Sequence, residues 1–370
     1  MRTRNNQMGS KRRPETKGQD GPRRTRKPWP KVAIIILNWN GWRDTIECLE
    51  SLQQITYPNY QIIVVDNGST DDSVEKIKAW ARGEIPVESK FLKYDPSTKP
   101  VQWIEYDRAT AEASGSTEEE TKLRGLPPYH RLVIIQTGDN LGFSGGNNIG
   151  IKYALAQGAD YVLLLNDDTV VAPGFVEPLI EVCIQDRNVG MAGPKINYYD
   201  HPDTIHSAGG KVSLWRGQAW HVGLLEKDVG QYEAIRAVEY LTGCVLLVSR
   251  EVCETIGLLD ENYFLYFEDT DWCLRARSAG FELVYVPSSQ VWHKTSITLW
   301  TSRNTTQAFY LTRNQLYFMR KHARWYHWLV FSVLWPIQMA RRLGGHIVNC
   351  LLYTSPSPRD LSTSRMPSSA

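Results

Sequence analysis

The sequence predicts an α/β protein built on a mixed, mostly parallel sheet with helices on both faces. Three observations predict it: short β-branched apolar runs recur along the chain, turn residues follow each run, and apolar residues at helical spacing fill the intervals. The run at 32–37 (VAIIIL) is continuous rather than alternating, as in a strand covered on both faces, and Asn38, Asn40 and Gly41 follow it as turn residues. Ile46, Leu49 and Leu52 then recur at helical spacing before Pro58. The next strand is 61–65 (QIIVV), stopped by Asp66, Asn67 and Gly68. Asp72 with Glu75 three residues on has the form of a capping box for a helix through about Trp80.

A polar stretch at 82–131 interrupts this rhythm as an insertion, and its section 110–122 (TAEASGSTEEETK) reads as a flexible loop. The alternation resumes with a strand at 132–136, a Gly-rich turn, a helix to about Gln157, a strand at 161–165, and Pro173 in the first turn of another helix. Beyond Gly190 the pattern is mixed. Short strands are expected at 189–192, 240–248 and 282–286, and helices at 269–279 and from about Asn304 to His322. The stretch 325–340 (WYHWLVFSVLWPIQMA) is apolar and aromatic with Lys321, Arg324, Arg341 and Arg342 at its flanks. A bilayer span needs about 20 apolar residues, so this segment, with Pro336 inside it, is too short to cross alone. It is expected either to lie in a membrane interface or to pack as a core helix.

Composition bounds the function. With 370 residues, 42% of them hydrophobic, the chain can bury a large core. The formal net charge of +2 hides an asymmetry: residues 1–30 carry ten Lys/Arg against two acids, which leaves the remainder at about −6. Nucleic acid is not an expected partner. The six cysteines form no CxxC pair and no zinc spacing, so they read as reduced thiols of a cytosolic enzyme. Residues 1–30 read as a basic disordered tail without the apolar core of a signal peptide. Residues 350–360 (CLLYTSPSPRD) and 364–370 (SRMPSSA) resemble translated sequencing-adapter DNA, so 350–370 are expected not to be native.

In an open α/β sheet, ligands gather at the carboxyl ends of the strands, and several polar groups fall there. Asp66 can accept hydrogen bonds from a nucleobase or ribose, or it can close an Asx-turn. Asn166, Asp167 and Asp168 end the strand YVLLL, and consecutive oxygen ligands at a strand tip suit Mg²⁺ or Mn²⁺ bridging a diphosphate. The Gly-rich segment 140–150 (NLGFSGGNNIG) precedes a helix, where free N–H groups can approach phosphate. GxGxxG is absent, which disfavours a nicotinamide-dependent oxidoreductase. Glu268, Asp269 and Asp271 open a predicted helix, where acids suit the dipole and Asp271 can pair with Arg275, yet one of the three can serve as a general base. His293 is a candidate metal ligand or a structural residue.

In order, the segments IILNWNG, VVDNGSTDDS, NLGFSGGNN, LLLNDDT, TGCVLLVSR, YFEDTDWCLR and VWHKTS resemble the family 2 glycosyltransferases, in particular the rhamnosyltransferase-like branch. The resemblance runs from about Val32 to Lys321. It implies the GT-A fold, a nucleotide-diphospho-sugar donor, a divalent cation, and a hydroxyl-bearing glycan or lipid-linked acceptor in envelope polysaccharide synthesis. By resemblance Asp66 matches the family's base- or ribose-binding aspartate, and 166–168 its Asp-x-Asp element with Asn166 in first place and Asp168 as the main metal carboxylate. Asp269 matches the catalytic base and His293 a metal-site histidine. Asn38, Asn40, Asn140, Gly142, Gly145, Gly146, Asn147, Asn166 and Asp167 become candidate donor contacts, and Glu268 and Asp271 acceptor-side groups.

The expected organisation is a catalytic domain at 31–303, with a nucleotide-sugar half at 31–190 and an acceptor half at 191–303, then C-terminal helices at 304–349. The enzyme is expected in the cytoplasm, peripheral at the inner face of the cell membrane. A nucleotidyltransferase on the same sheet type would need a Lys/Arg-rich glycine loop near the first strand, which this sequence lacks. A processive synthase would carry Gln-x-x-Arg-Trp, and here Lys321 stands in the Gln position before Arg324 and Trp325. A non-catalytic sugar-nucleotide binder would not need Asp168, Asp269 and His293 together.

Overall fold

The apolar runs become strands because β-branched side chains fit a pleated surface covered on both faces. The computed structural model describes residues 28–295 and 305–354, with no side chain described at 305 or 341–354. The expected basic tail through 27, the boundary at 303, and residues 355–370 lie outside the described residues.

The first half holds β1 (Val32–Asn38), α1 (Trp42–Leu52), β2 (Tyr60–Asp66), α2 (Ser73–Arg82), β3 (Gln102–Asp107), α3 (Arg108–Glu112), α4 (Thr117–Arg124), β4 (Arg131–Gln136), α5 (Gly142–Ala156) and β5 (Tyr161–Asn166). The second holds β6 (Thr169–Val171), α6 (Val176–Gln185), β7 (Val189–Tyr198), β8 (Ile205–Ser207), β9 (Gly210–Ser213), β10 (Gln218–His221), β11 (Arg236–Ala237), β12 (Val245–Ser249), α7 (Arg250–Ile256), α8 (Glu268–Ser278) and β13 (Glu282–His293). Then come α9 (Thr305–His322) and α10 (Trp325–Thr354). The main sheet runs β11-β13-β7-β12-β5-β1-β2-β4-β3, with β6 on β13 and β8 on β7; β9 and β10 form a separate hairpin. Strands β3, β4, β2, β1 and β5 are parallel neighbours, and β12 enters antiparallel between β5 and β7.

Alternate residues of β1 serve two cores, as the period of two requires. Val32, Ile34 and Ile36 pack with Leu49 of α1, Ile77 and Trp80 of α2 and Leu179 of α6. Ala33 and Ile35 pack with Ile149 of α5, Val252 of α7 and Trp272 of α8. Trp80 is fully buried, donates to Glu50 Oε2 at 2.8 Å and lies under the Lys99 ammonium at 4.0 Å. Truncating it to alanine would cost about 3–5 kcal/mol.

Several sequence expectations need correction. The Asp72–Glu75 capping box does not form: the Asp72 side chain caps nothing, and Asp71 accepts from Ser73 N instead. The insertion contributes the edge strand β3, and 110–122 is largely helical (α3 and α4) rather than a loop, with Ala111 and Leu123 buried. The Gly-rich segment is the body of α5, not a turn before it. Pro173 precedes α6, and its carbonyl accepts from Thr56 N. The strand expected at 240–248 begins only at Val245. Of the expected tail, Trp29 and Pro30 dock through their carbonyls, which accept from Asn59 Nδ2 and Tyr57 Oη. The apolar stretch 325–340 opens a longer helix, because α10 continues through Arg341 and Arg342 to Thr354. Even so, among the described residues no helix is long and apolar enough to cross a membrane.

Candidate active site

The loops that leave β1 and β2 are bonded into one unit. Asn38 is buried and donates from Nδ2 to Asp66 Oδ1 (2.7 Å) and Ser69 Oγ (3.0 Å), while its Oδ1 accepts from Thr45 Oγ1 (2.9 Å). Asp66 also accepts from Ser69 N (3.1 Å) and Ser69 Oγ (2.5 Å), which is the turn-closing role. Asn40 sits at φ +55°, a region asparagine tolerates, and its Oδ1 accepts from Thr70 N (2.8 Å) and Asp71 N (3.2 Å). Asn67 joins the next loop by donating to Asn140 Oδ1 (3.1 Å) and accepting from Leu141 N (3.0 Å).

The glycines of α5 make contact with protein, not with open space. A Cβ on Gly146 would stand 2.4 Å from Leu37 Cδ1, and one on Gly142 2.4 Å from the Phe264 carbonyl oxygen. On Gly145 it would stand 2.8 Å from Leu141 Cβ, at the mouth of the helix. Gly146 lets the helix lie close on β1 and Gly142 lets it lie beside the 263–267 loop, so these glycines serve packing whether or not their N–H groups also meet a phosphate. Asn147 is likewise turned inward, donating to Phe143 O at 2.9 Å.

The tip of β5 is different. Asn166 N donates to Cys244 O at 2.9 Å, tying the tip to the segment before β12. Burial and the neighbouring charges of Asp168 and Asp44 push the Asp167 carboxyl up to about 8. Asp168 moves the other way: burial opposes its charge, but His293, its own backbone N–H and Lys294 together hold it below the usual range. His293 ends β13, which pairs with β6 at His293 and Thr169, and this register brings its Nε2 to 3.0 Å from Asp168 Oδ1. The two groups form an ion pair, with angles too poor for a regular hydrogen bond. Burial opposes the charge of His293, but Asp168 and the neighbouring Cys244 hold its pKa well above the usual value. Carboxylate and imidazole are both metal-ligand types, and a divalent cation between them would displace the imidazole proton. Among the described residues no group of three or more His, Cys, Asp or Glu side chains is placed to hold a metal, so this pair would need further oxygens from a diphosphate or water.

Helix α8 opens with the acidic triplet, and the structure separates its members. Asp269 is anchored on both oxygens. Tyr240 Oη (2.9 Å) and Gly243 N (2.9 Å) donate to Oδ2, and Thr270 N (2.6 Å) donates to Oδ1. Gly243 adjoins Cys244, so the segment 243–244 links Asp269 to the β5 tip. Burial raises the Asp269 carboxyl despite these donors. Burial and the charge of Asp269 raise Glu268 further, and its Oε2 is buried without a partner, so Glu268 is the member that keeps a proton. Asp271 lies about 200° around the helix from Asp269. It is fully buried among Arg275 Nε (2.7 Å), Lys321 Nζ (2.8 Å) and His322 Nε2 (2.7 Å). Its expected acceptor-side role is corrected to a structural one: the carboxylate is committed to cations of α8 and α9.

Residues the sequence reading missed hold this edge together. Phe264, Tyr266 and Phe267 precede α8 at φ +42°, +69° and +73°, conformations that cost non-glycine residues about 1–3 kcal/mol each. Asn314 of α9, fully buried, donates from Nδ2 to the carbonyls of Tyr263 (2.9 Å), Leu265 (2.8 Å) and Tyr266 (2.9 Å). A buried asparagine inside a helical apolar pattern was its only signal. His206, with ring centroids 5.0 Å from both His293 and His221, carries no spacing that the sequence could reveal.

The sheet order and the acids at its carboxyl edge define the GT-A class of fold. GalNAc-T7, solved with UDP, GalNAc and Mn²⁺, shares that fold with a TM-score of 0.50 at 16% identity over 72% of this chain and 44% of its own. A family model described as glycosyltransferase like family 2 matches residues 119–312, and another described as glycosyl transferase family 2 matches 33–95. The chain belongs to the family 2 glycosyltransferases. It is 29% identical over 164 residues to the low-salt glycan biosynthesis hexosyltransferase Agl10 of Haloferax volcanii, covering 44% of this chain and about half (52%) of that protein. It is 26% identical over 254 residues to an N-acetylglucosaminyl-diphospho-decaprenol L-rhamnosyltransferase of Mycobacterium tuberculosis, covering 64% of this chain and 81% of that protein.

Proposed function

We propose that the chain transfers a glycosyl group from a nucleoside-diphosphate sugar to a hydroxyl, with inversion at the anomeric carbon. The observation that carries this reading is the segment 243–244, which ties the anchored carboxylate of Asp269 to the strand tip bearing Asp168. Asp168 and His293 would hold Mg²⁺ or Mn²⁺, in keeping with the Mn²⁺ of the GalNAc-T7 structure. A bound divalent cation supplies charge neutralisation for the departing nucleoside diphosphate.

Asp269 takes the acceptor's hydroxyl proton as that oxygen bonds to the anomeric carbon and the bond from that carbon to the diphosphate oxygen breaks. Tyr240, Gly243 and Thr270 fix the carboxylate's orientation, which lowers the entropy cost of the step. Asn38, Asn40, Asp66 and Asn140 frame the nucleoside end of the donor site, and Asn166 and Asp167 its diphosphate end. Glu268 faces the acceptor side as a neutral acid.

The names of the relatives support a hexose-type donor and a lipid-linked acceptor. A peripheral membrane position suits such an acceptor, and α10 exposes Trp325, Leu329, Val333 and Ile337 four residues apart along one stripe. The test is a panel of nucleotide sugars with Mg²⁺ or Mn²⁺, read as nucleoside diphosphate release and as anomeric configuration of the product by NMR. No release with any donor, or a retained configuration, overturns the reading.

A further inference from the structure

A second site lies at the opposite edge of the sheet. At the amino ends of β1, β2 and β4 opens a cavity of about 360 Å³, within the range of about 300–1,000 Å³ that small-molecule sites occupy. Lys31, Arg124 and Arg131 line it, together with Glu120, Tyr153 and Gln157. Two of the cations, Arg124 and Arg131, come from the insertion and the start of β4, and Lys31 immediately precedes β1.

The charges there are compensated only in part. Lys31 Nζ donates to Gln157 O (2.7 Å), Arg131 Nη2 to Tyr60 O (2.8 Å), and Arg124 to the Gln157 side-chain oxygen; all three acceptors are neutral. Among the described residues none of the three cations forms a side-chain ion pair. Arg131 is 8% exposed, and its Nε is buried without any partner, which leaves a guanidinium donor unsatisfied. Glu120, the one acid in the lining, is engaged by Tyr153 and Tyr106, and burial raises its pKa against the charges of Arg124 and Lys31, so one carboxyl faces three cations. Burial and then the charges of Arg124 and Arg131 lower the Lys31 pKa, against the opposing charges of Glu120 and Asp160.

We propose that this cavity binds a phosphate-bearing small anion, held by Lys31, Arg124 and Arg131. Guanidinium groups match phosphate oxygens as forked donors, and a lysine adds a compact third charge. An anion would satisfy the orphaned Arg131 Nε and relieve the repulsion among the three cations. The site is distinct from the candidate active site: α5 begins beside Asn140 and ends at the cavity, and its 15 residues span about 22 Å. The proposal does not depend on glycosyl transfer.

The test is isothermal titration of the full chain with inorganic phosphate, pyrophosphate and glucose 1-phosphate, in EDTA and at constant ionic strength. Saturable binding that Arg124→Glu and Arg131→Gln each weaken at least tenfold, and that Asp168→Ala leaves unchanged, is the expected result. Arg124 is exposed, so its substitution leaves the fold intact even where Arg131→Gln does not. A tightest response to glucose 1-phosphate marks a sugar phosphate as the source, and an equal response to all three marks the phosphate group alone. Absence of saturable binding in the wild type, an unchanged affinity in Arg124→Glu, or loss of binding in Asp168→Ala overturns the proposal.

Discussion

Two stretches of the sheet's carboxyl edge solve the same problem in opposite ways. Beyond β1 and β2, Asn38, Asn40, Asp66, Asn67 and Asn140 spend their hydrogen bonds on one another and on nearby backbone. Beyond β5, β13 and the start of α8, Asp168 and His293 pair with each other in poor hydrogen-bond geometry, and Glu268 Oε2 is buried without a partner. Native interiors rarely leave such groups unsatisfied, which fits a place where a ligand binds. The first stretch is a frame, and the second is the proposed reaction site.

The largest effect expected from this contrast is on turnover. Asp269→Asn keeps size and loses basicity, so turnover should fall by roughly 10²- to 10⁴-fold with donor affinity near wild type, read by steady-state kinetics and donor titration. Wild-type turnover in this variant, with Glu268→Gln inactive, would reassign the base. Next comes Asp271→Ala, which strands Arg275 and Lys321 around a vacated buried carboxylate and should cost about 3–5 kcal/mol in urea unfolding. A loss under about 1 kcal/mol would show that these cations are hydrated.

The frame and the reaction site are then compared directly. Asp66→Ala removes an acceptor of three hydrogen bonds and should destabilise by about 1–3 kcal/mol. Asp168→Ala breaks the ion pair with His293 and should abolish metal-dependent nucleoside diphosphate binding, whereas Asp66→Ala leaves the metal requirement in place. Metal-dependent binding retained in Asp168→Ala would erase the distinction.

A pH effect follows from the raised carboxyls. As the proposed base, Asp269 would act ionised, and its folded pKa lies above the unfolded one, so turnover should rise as pH climbs through that raised value. Stability runs the other way: the protonated form is favoured in the fold, and its contribution is lost as pH rises through the same value. Glu268→Gln replaces one neutral side chain by another beside Asp269, so the acid limb of the rate profile should stay where it is. A limb moved to lower pH would show that Glu268 carries its charge while Asp269 titrates. The smallest effect concerns α10: liposome flotation should weaken when the chain ends before Trp325, and equal flotation of both lengths rejects a membrane role.

The parallel core was legible because 32–37 and 61–65 admit little besides buried strands, and β1 and β2 fall within one residue of those runs. The glycines misled because glycine marks turns in most contexts, whereas Gly146 and Gly150 serve close approach to Leu37 and Ile35. Section 110–122 of the insertion lacked a periodic apolar face, since its short helices bury only Ala111, Glu120 and Leu123. Asp168 and His293 are 125 positions apart, and only the β6–β13 register brings them together. For Asp271 the i, i+4 partner Arg275 was visible, but Lys321 and His322 arrive from a distant helix.

Asn314 matters to anyone who shortens this gene. A stop codon at 303 looks like a clean cut between enzyme and appendage. The product would leave the carbonyls of Tyr263, Leu265 and Tyr266 without their shared donor, just where three aromatic residues hold positive φ ahead of Glu268. The shortest open reading frame that keeps Asp269 in its setting extends past codon 322, because His322 closes the ring of nitrogen partners around Asp271.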